Sequence, residues 1–266
     1  MNKHNPLSDF LYQLIALFLS LIIVHTIYVT VIRPNADAIL EQQAAQQAAG
    51  ETVEIERSIF IVVKDFEQEA CFILALWVFA IMALKAKAIL RERALMSQTL
   101  INIRPGTSLL PEDTREYSRP IQNLDENERE YLLPRALLSG LQRFGSTRNI
   151  QDVATTIKDI CEHESERLDS ELSMVRYIIW AIPSIGFIGT VRGIGEALGQ
   201  AHKAVEGDIL GVTLSLGVAF NSTFVALIIS IFIMFLMHQL QLLQERLVLD
   251  SQRYCDVSLL CHLKAL

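Results

Sequence analysis

Two apolar stretches of this chain carry residue types that apolar stretches seldom contain, and their spacing defines the chemistry open to them. The first, residues 178–198 (IIWAIPSIGFIGTVRGIGEAL), holds a proline, four glycines, a threonine, an arginine and a glutamate. On a helix turning by about 100° per residue, Pro183, Gly186, Thr190, Gly193 and Ala197 fall on one stripe. The second, residues 209–237, repeats the design: Ala219, Thr223, Ala226 and Ser230 share a stripe, and Asn221 lies on the far side. Each helix therefore offers a face of small residues bearing one threonine hydroxyl. Small faces let membrane helices approach closely, and Gly189-x-x-x-Gly193 fits that use. A hydroxyl in such a place both donates and accepts, so it suits passing or coordinating a small cation. The same residues also admit a plain packing reading. Thr190 and Thr223 can bond back to a carbonyl one turn earlier, and Pro183 can be a kink whose freed backbone is satisfied by neighbours. On the residues alone both readings stand.

Arg192 and Glu196 are four apart, on the side of the first stripe opposite Thr190, toward the outer end of that stretch. Charges inside a span mark pathways or partner contacts, and this spacing also allows a structural pair. His25, within an earlier apolar run, reads as a packing residue. Among these stretches no central carboxylate faces the threonines, so a cation relay between them would need an acid from another chain. Other chemistries find no support. GFIGTVRGIG has no following Lys-Ser/Thr and no preceding strand, as a phosphate loop would require. No nucleophile set is present, and the chain does not read as an enzyme or as a cofactor carrier. Cys71, Cys161, Cys255 and Cys261 show neither C-x-x-C nor zinc spacing and read as unpaired thiols, so no metal site is expected. A net charge of −7, without a basic patch interleaved with aromatics, argues against a nucleic-acid partner.

The elements that must position these residues are membrane helices. The chain is 51% hydrophobic and 20% charged, and the apolar residues cluster into runs of span length. Residues 10–32 form the first. They are too long and too poorly preceded by basic charge (only Lys3 and His4) for a secretory signal, although Ala36-Asp37-Ala38 resembles a cleavage site. Residues 33–69 are acidic, with three basic and eight acidic side chains, and EQQAAQQAA predicts a helix ended by Gly50 within a solvated hairpin. Residues 70–90 form the second span. Lys85, Lys87, Arg91 and Arg93 close it and place that end in the cytoplasm, with both chain termini on the same side.

Residues 91–174 read as a cytoplasmic helical domain. Pro105-Gly106, Pro111, Pro120 and Pro134 predict loops in its first half. From Ser146-Thr147 onward Val153, Ile157, Ile160, Cys161, Leu168, Leu172 and Val175 recur at helical spacing. With no Pro or Gly before Pro183, this helix is expected to run unbroken into the third span. The third and fourth spans, about 178–198 and 209–237, form a hairpin joined by a polar link containing His202, Lys203, Glu206 and Asp208. Residues 238–266 continue as an amphipathic cytoplasmic tail, giving the last helix a length of roughly 70 Å. The fold class is all-α integral membrane protein with about four transmembrane helices, the last two extended into the cytoplasm. Its domains are 1–90, 91–174, 175–237 and 238–266.

IPSIGFIGTVRGI resembles the third-span signature of the MotA/TolQ/ExbB ion-channel subunits, and LGVAFNSTFVAL resembles their fourth-span segment, with Thr223 on the family's threonine. The resemblance covers about 60 residues. It implies an ion-conducting subunit of an inner-membrane motor complex that turns the proton-motive force, in preference to a sodium gradient, into mechanical work. It implies a homopentamer around two copies of a single-span MotB/ExbD/TolR-like protein whose aspartate takes up the permeating H+ or Na+. Residues matching Pro183, Thr190 and Thr223 line the path beside that aspartate. Gly186, Gly189, Gly193, Ala219, Ala226 and Ser230 then pack the helices around it. The process powered would be envelope energy transduction, as in TolQ/ExbB, or anti-phage defence, as in the Zorya-type motors, through a cytoplasmic effector. The sequence departs from the ExbB-like pattern at Val218, where an acidic residue stands five positions before the threonine, and Arg192 lies outside the signature. Four spans with both termini inside are more like a flagellar stator A subunit. A non-conducting membrane scaffold built from the same small faces is the other alternative. A sensor reading has no motif behind it.

Overall fold

The computed structural model describes residues 6–48, 58–101, 103, 107–205 and 209–264. Gly50, Pro105, Gly106, Glu206 and Asp208, each invoked above, lie outside the described residues. Among those described, every regular element is a helix: α1 (Pro6–Ile27), a π-helical turn (Tyr28–Ile32), α2 (Arg33–Ala48), α3 (Ile59–Val63), α4 (Phe66–Leu95), α5 (Thr114–Gln122), α6 (Glu126–Arg129), α7 (Leu132–Thr147), α8 (Ile150–Glu171), α9 (Ser173–Gly199), α10 (Ala201–Val205), α11 (Leu210–Ser258) and a 3-10 turn (Leu260–His262). Four stretches are long and apolar enough to cross a membrane: Phe10–Gln43, Phe66–Leu95, Ile150–Gly199 and Gly211–His262. The expected fold class is the observed one. The last two stretches are the longest, at 50 and 52 residues.

Two compact units divide the chain, and α4 and α11 contribute to both. One unit comprises Pro6–Met82 and Met174–Met237, which carry the apolar spans. In it α1 runs through the π turn directly into α2, so the helix does not stop where the apolar run does. The wide turn sits just ahead of Pro34, and the Arg33 N–H reaches back to the Tyr28 carbonyl. A proline, lacking its own N–H, fits poorly into a regular turn there. Among the side-chain hydrogen bonds that tie α1 to α4, the Trp77 indole donates to the Gln13 carbonyl at 2.8 Å, and the Tyr12 hydroxyl to that of Ala80 at 3.3 Å. The Phe79 and Phe232 rings meet edge-on at 6.0 Å and join α4 to α11.

The other unit comprises Ala83–Ser173 and His238–Leu266. Its core gathers Leu133, Leu137, Leu141 and Phe144 of α7 with Val153, Ile157 and Cys161 of α8 and Val248 and Cys255 of α11. Leu259 and Leu263 complete it from the chain end, where the Leu109 N–H donates to the His262 carbonyl at 2.7 Å and the Lys264 N–H to the Leu109 carbonyl at 3.1 Å. The amphipathic tail of the sequence reading thus has its apolar edge inside this core.

Glu164 is buried and accepts from Arg135 at 2.7 Å and from Arg167. Burial alone would raise its carboxyl, but hydrogen bonds from Arg167 and Arg135 more than offset this and hold it below the ordinary carboxylate range. Lys85 pairs with Glu171 at 2.7 Å.

Several loop expectations fail here. Pro120 lies inside α5 and Pro134 inside α7. Pro134 sits in the first turn of its helix, where the N–H has no intrahelical partner to lose. Helix α7 itself is missing from the sequence reading, which gave this region to loops. Its stop is Arg148, in the left-handed region at φ 53°. Asn149 then caps α8, its side chain accepting from the Gln151 N–H at 2.9 Å. The helix entering the third span is interrupted at one residue: Leu172 ends α8 with its N–H on the Asp169 and Ser170 carbonyls, and α9 starts at Ser173. Leu172 is fully buried, and tertiary packing there overrides a locally unbroken pattern. The polar link after the third span contains the short helix α10.

Candidate functional site

Helices α9 and α11 approach so closely that glycine is required at three positions of α9. A Cβ on Gly186 would stand 2.5 Å from the Ala226 Cβ, and one on Gly189 would stand 2.5 Å from the Ser222 side chain. One on Gly193 would stand 2.7 Å from the Ala219 N and the Ser215 O, both backbone. Ala219 and Ala226 are fully buried in this seam, and Ala197 is buried at its end.

Close approach brings the two threonine hydroxyls together. Thr190 Oγ1 and Thr223 Oγ1 lie 2.5 Å apart. Thr190 also reaches the Ala219 carbonyl at 3.0 Å and that of Gly186 at 3.4 Å, and Thr223 reaches the Gly186 carbonyl at 3.1 Å. The pair has two hydroxyl hydrogens and a choice of acceptors that includes each other. Reversing the direction of donation requires only rotation about the C–O bonds. Both side chains are half-buried, as is Pro183.

Pro183 has no N–H, so the carbonyl of Ile179 one turn earlier lacks its helical donor. Ser230 of α11 supplies one, its hydroxyl donating to the Ile179 carbonyl at 3.1 Å. The last residue of the α11 stripe therefore answers the first residue of the α9 stripe.

Arg192 and Glu196 do pair, at 3.0 Å. The stronger partner is on α4: Glu67 takes Arg192 in a two-pronged contact, 2.8 Å from Nε and 2.9 Å from the terminal nitrogen. Asp65 is 3.9 Å from the same guanidinium. It stands just ahead of α4, and burial pushes its carboxyl up from the ordinary range, an effect that Lys64 and Arg192 only partly offset. His25 is not a packed residue; it is half-exposed and bonds Glu69 at 2.7 Å, and Arg33 pairs with the same carboxylate.

The sequence reading missed Glu67 and Glu69 because they looked like the end of a solvated acidic loop. The available signal was their position in the first turn of α4, directly before an apolar run, together with an Arg192 that a bilayer would not leave unpaired. Among the described residues no cluster of His, Cys, Asp and Glu could hold a metal ion.

Residues 128–253, which contain α7, α8, α9 and most of α11, match the model of the MotA/TolQ/ExbB proton channel family. No curated protein and no solved structure matches the chain. Both threonines and the whole close-packed seam fall inside the matched range. The chain is a multi-pass membrane protein whose segment 128–253 is similar to the MotA/TolQ/ExbB proton channel family.

Proposed function

We propose that this protein is the ion-conducting subunit of an inner-membrane motor complex, in which proton flow past Thr190 and Thr223 drives mechanical work. The observation that carries the reading is the pair of hydroxyls 2.5 Å apart in a seam of small residues. They are flanked by backbone carbonyls and have no carboxylate on either stripe. A proton relay there is completed by an acid on another chain. The family supports a single-span partner bearing an aspartate, two copies of which would stand within a pentamer of this subunit. Pro183 would keep α9 adaptable beside that aspartate. The topology in this reading puts both chain termini in the cytoplasm and the α2–α3 segment outside.

The test is to purify the complex with its partner, determine its mass, and measure proton flux in vesicles. A ring of this subunit around a single-span, aspartate-bearing protein is expected. Thr190→Val and Thr223→Val should each lower flux at least about tenfold, equivalent to about 1.4 kcal/mol on the limiting step, with assembly intact. Full flux in both variants would remove the threonines from the path. A ring that conducts nothing would instead make the protein a scaffold.

A further inference from the structure

The head of α4 gathers a second polar group in the same unit, and it leads toward the threonines. Asp65 and Glu67 face Arg192. The next residue, Gln68, is fully buried; its Nε2 donates to the Val62 carbonyl at 3.1 Å and to Ser222 Oγ at 3.4 Å, and its Oε1 has no partner. Asp65 Oδ2 and the hydroxyl of the fully buried Tyr28 are likewise without partners. Ser222 is buried and donates onward to the Val218 carbonyl at 2.9 Å, so its oxygen keeps an accepting lone pair.

The two groups adjoin through the seam. A Cβ on Gly189 would touch both Ser222 (2.5 Å) and Glu67 Cγ (3.1 Å). Gly189 and Ser222 immediately precede Thr190 and Thr223 in the chain. A buried amide oxygen and a buried carboxylate oxygen are costly to leave unpaired and are completed by bound water or an ion. The partnerless atoms here are mainly acceptors, in a setting where three carboxylates (Asp65, Glu67, Glu196) outnumber the Arg192 guanidinium and the Lys64 ammonium. That balance selects a hydrated proton rather than an anion.

We propose that Gln68 and Ser222 form the entry step of the proton path, linking water at the Asp65–Glu67–Arg192 group to the Thr190–Thr223 pair. This rests on the conduction reading above and names the side from which the path fills. Arg192 acts here as a positioning residue: it holds the Glu67 carboxylate at the mouth and balances its charge.

The experiment introduces Ser222→Cys and Gln68→Cys separately into the full complex in vesicles. A membrane-impermeant cationic thiol reagent is added on the side carrying the α2–α3 segment, against the wild-type background of buried Cys71. Phe224→Cys, at an exposed apolar position of α11, is the lipid-facing control. Labelling at positions 222 and 68 without labelling at 224 is the expected result. Gln68→Leu and Ser222→Ala should lose most proton flux, and Gln68→Glu, which keeps an acceptor, should restore it. Wild-type flux with neither cysteine labelled, or with Gln68→Leu and Ser222→Ala both conducting fully, would overturn the entry step and leave the conduction reading standing. Labelling at 222 and 68 with no flux through the wild-type complex would overturn conduction, and with it the role as an entry step.

Discussion

Pro183 and Ser230 sit on different helices, yet the backbone makes them one unit: the first removes a donor from Ile179, and the second replaces it. Ser230→Ala should therefore leave a buried carbonyl unpaired and cost about 1–3 kcal/mol, read as a lower unfolding midpoint of the purified protein in detergent. In a Pro183→Ala background the helix regains its own N–H, and the same Ser230→Ala change should cost far less. A double-mutant cycle gives this coupling directly; additive effects would show that Ser230 serves some other purpose. At Thr190 and Thr223 the side chain and its spacing were legible in the sequence, because hydroxyls in an apolar run stand out. Their mutual distance was not legible, since it depends on how deeply two helices interlock. Glu67 was missed for a related reason: its place at the head of an apolar run hinted at a partner, but nothing local named Arg192 as that partner.

At the scale of the element, α9 and α11 are held close by what α9 lacks. Gly193 faces the backbone of Ser215 and Ala219, which cannot move aside as a side-chain tip would. Gly193→Ala should force the helices apart and cost about 1–3 kcal/mol in overpacking. It should also lower flux by separating the two hydroxyls. Gly195 on α9 and Gly217 on α11 meet nothing within 4 Å. Alanine at either should be tolerated and should gain up to about 1 kcal/mol of helix propensity. Thermal unfolding and flux of the four variants, including Gly186→Ala, would sort the glycines that serve contact from those that do not. If Gly195→Ala proved as harmful as Gly193→Ala, the seam would not be the reason for the glycines.

At the scale of the whole molecule, the unit of Ala83–Ser173 and His238–Leu266 depends on residues far apart in the chain. Leu259 is fully buried against α7 and α8 although it lies near the C-terminus. Leu259→Ala should cost about 2–5 kcal/mol and expose the α5–α7 region to proteolysis. Glu164 makes a prediction of definite sign. Its native carboxyl lies below the ordinary range, so the stability it contributes is present above the unfolded-state value and is lost as pH falls through the native one. Glu164→Ala removes the partner shared by Arg135 and Arg167, which stay partly solvated, with Arg167 still paired to Glu171, and should cost about 1–3 kcal/mol. The variant should also show a flatter loss of protease resistance between neutral and acid pH than wild type does. A wild-type profile with no acid sensitivity would argue against a stabilising carboxylate.

What the sequence determined by itself was set by composition and period. Apolar runs of membrane length, broken by polar blocks, can satisfy their backbone only as helices in a bilayer. Small residues at steps of three and four predict faces that pack closely. The π turn that carries α1 into α2, the break at Leu172 and the helical course of Pro120 and Pro134 were decided by tertiary structure. Helix α7 was legible in principle, since Leu133, Leu137, Gly140, Leu141 and Phe144 keep helical spacing, but Pro120 ahead of it and Pro134 in its first turn drew attention to loops. The chain end joining Leu109, the Arg192–Glu67 contact and the Gln68–Ser222 bond were beyond any local pattern. Each joins residues more than 100 positions apart, and only the packing of helices against one another brings such groups within a few ångströms.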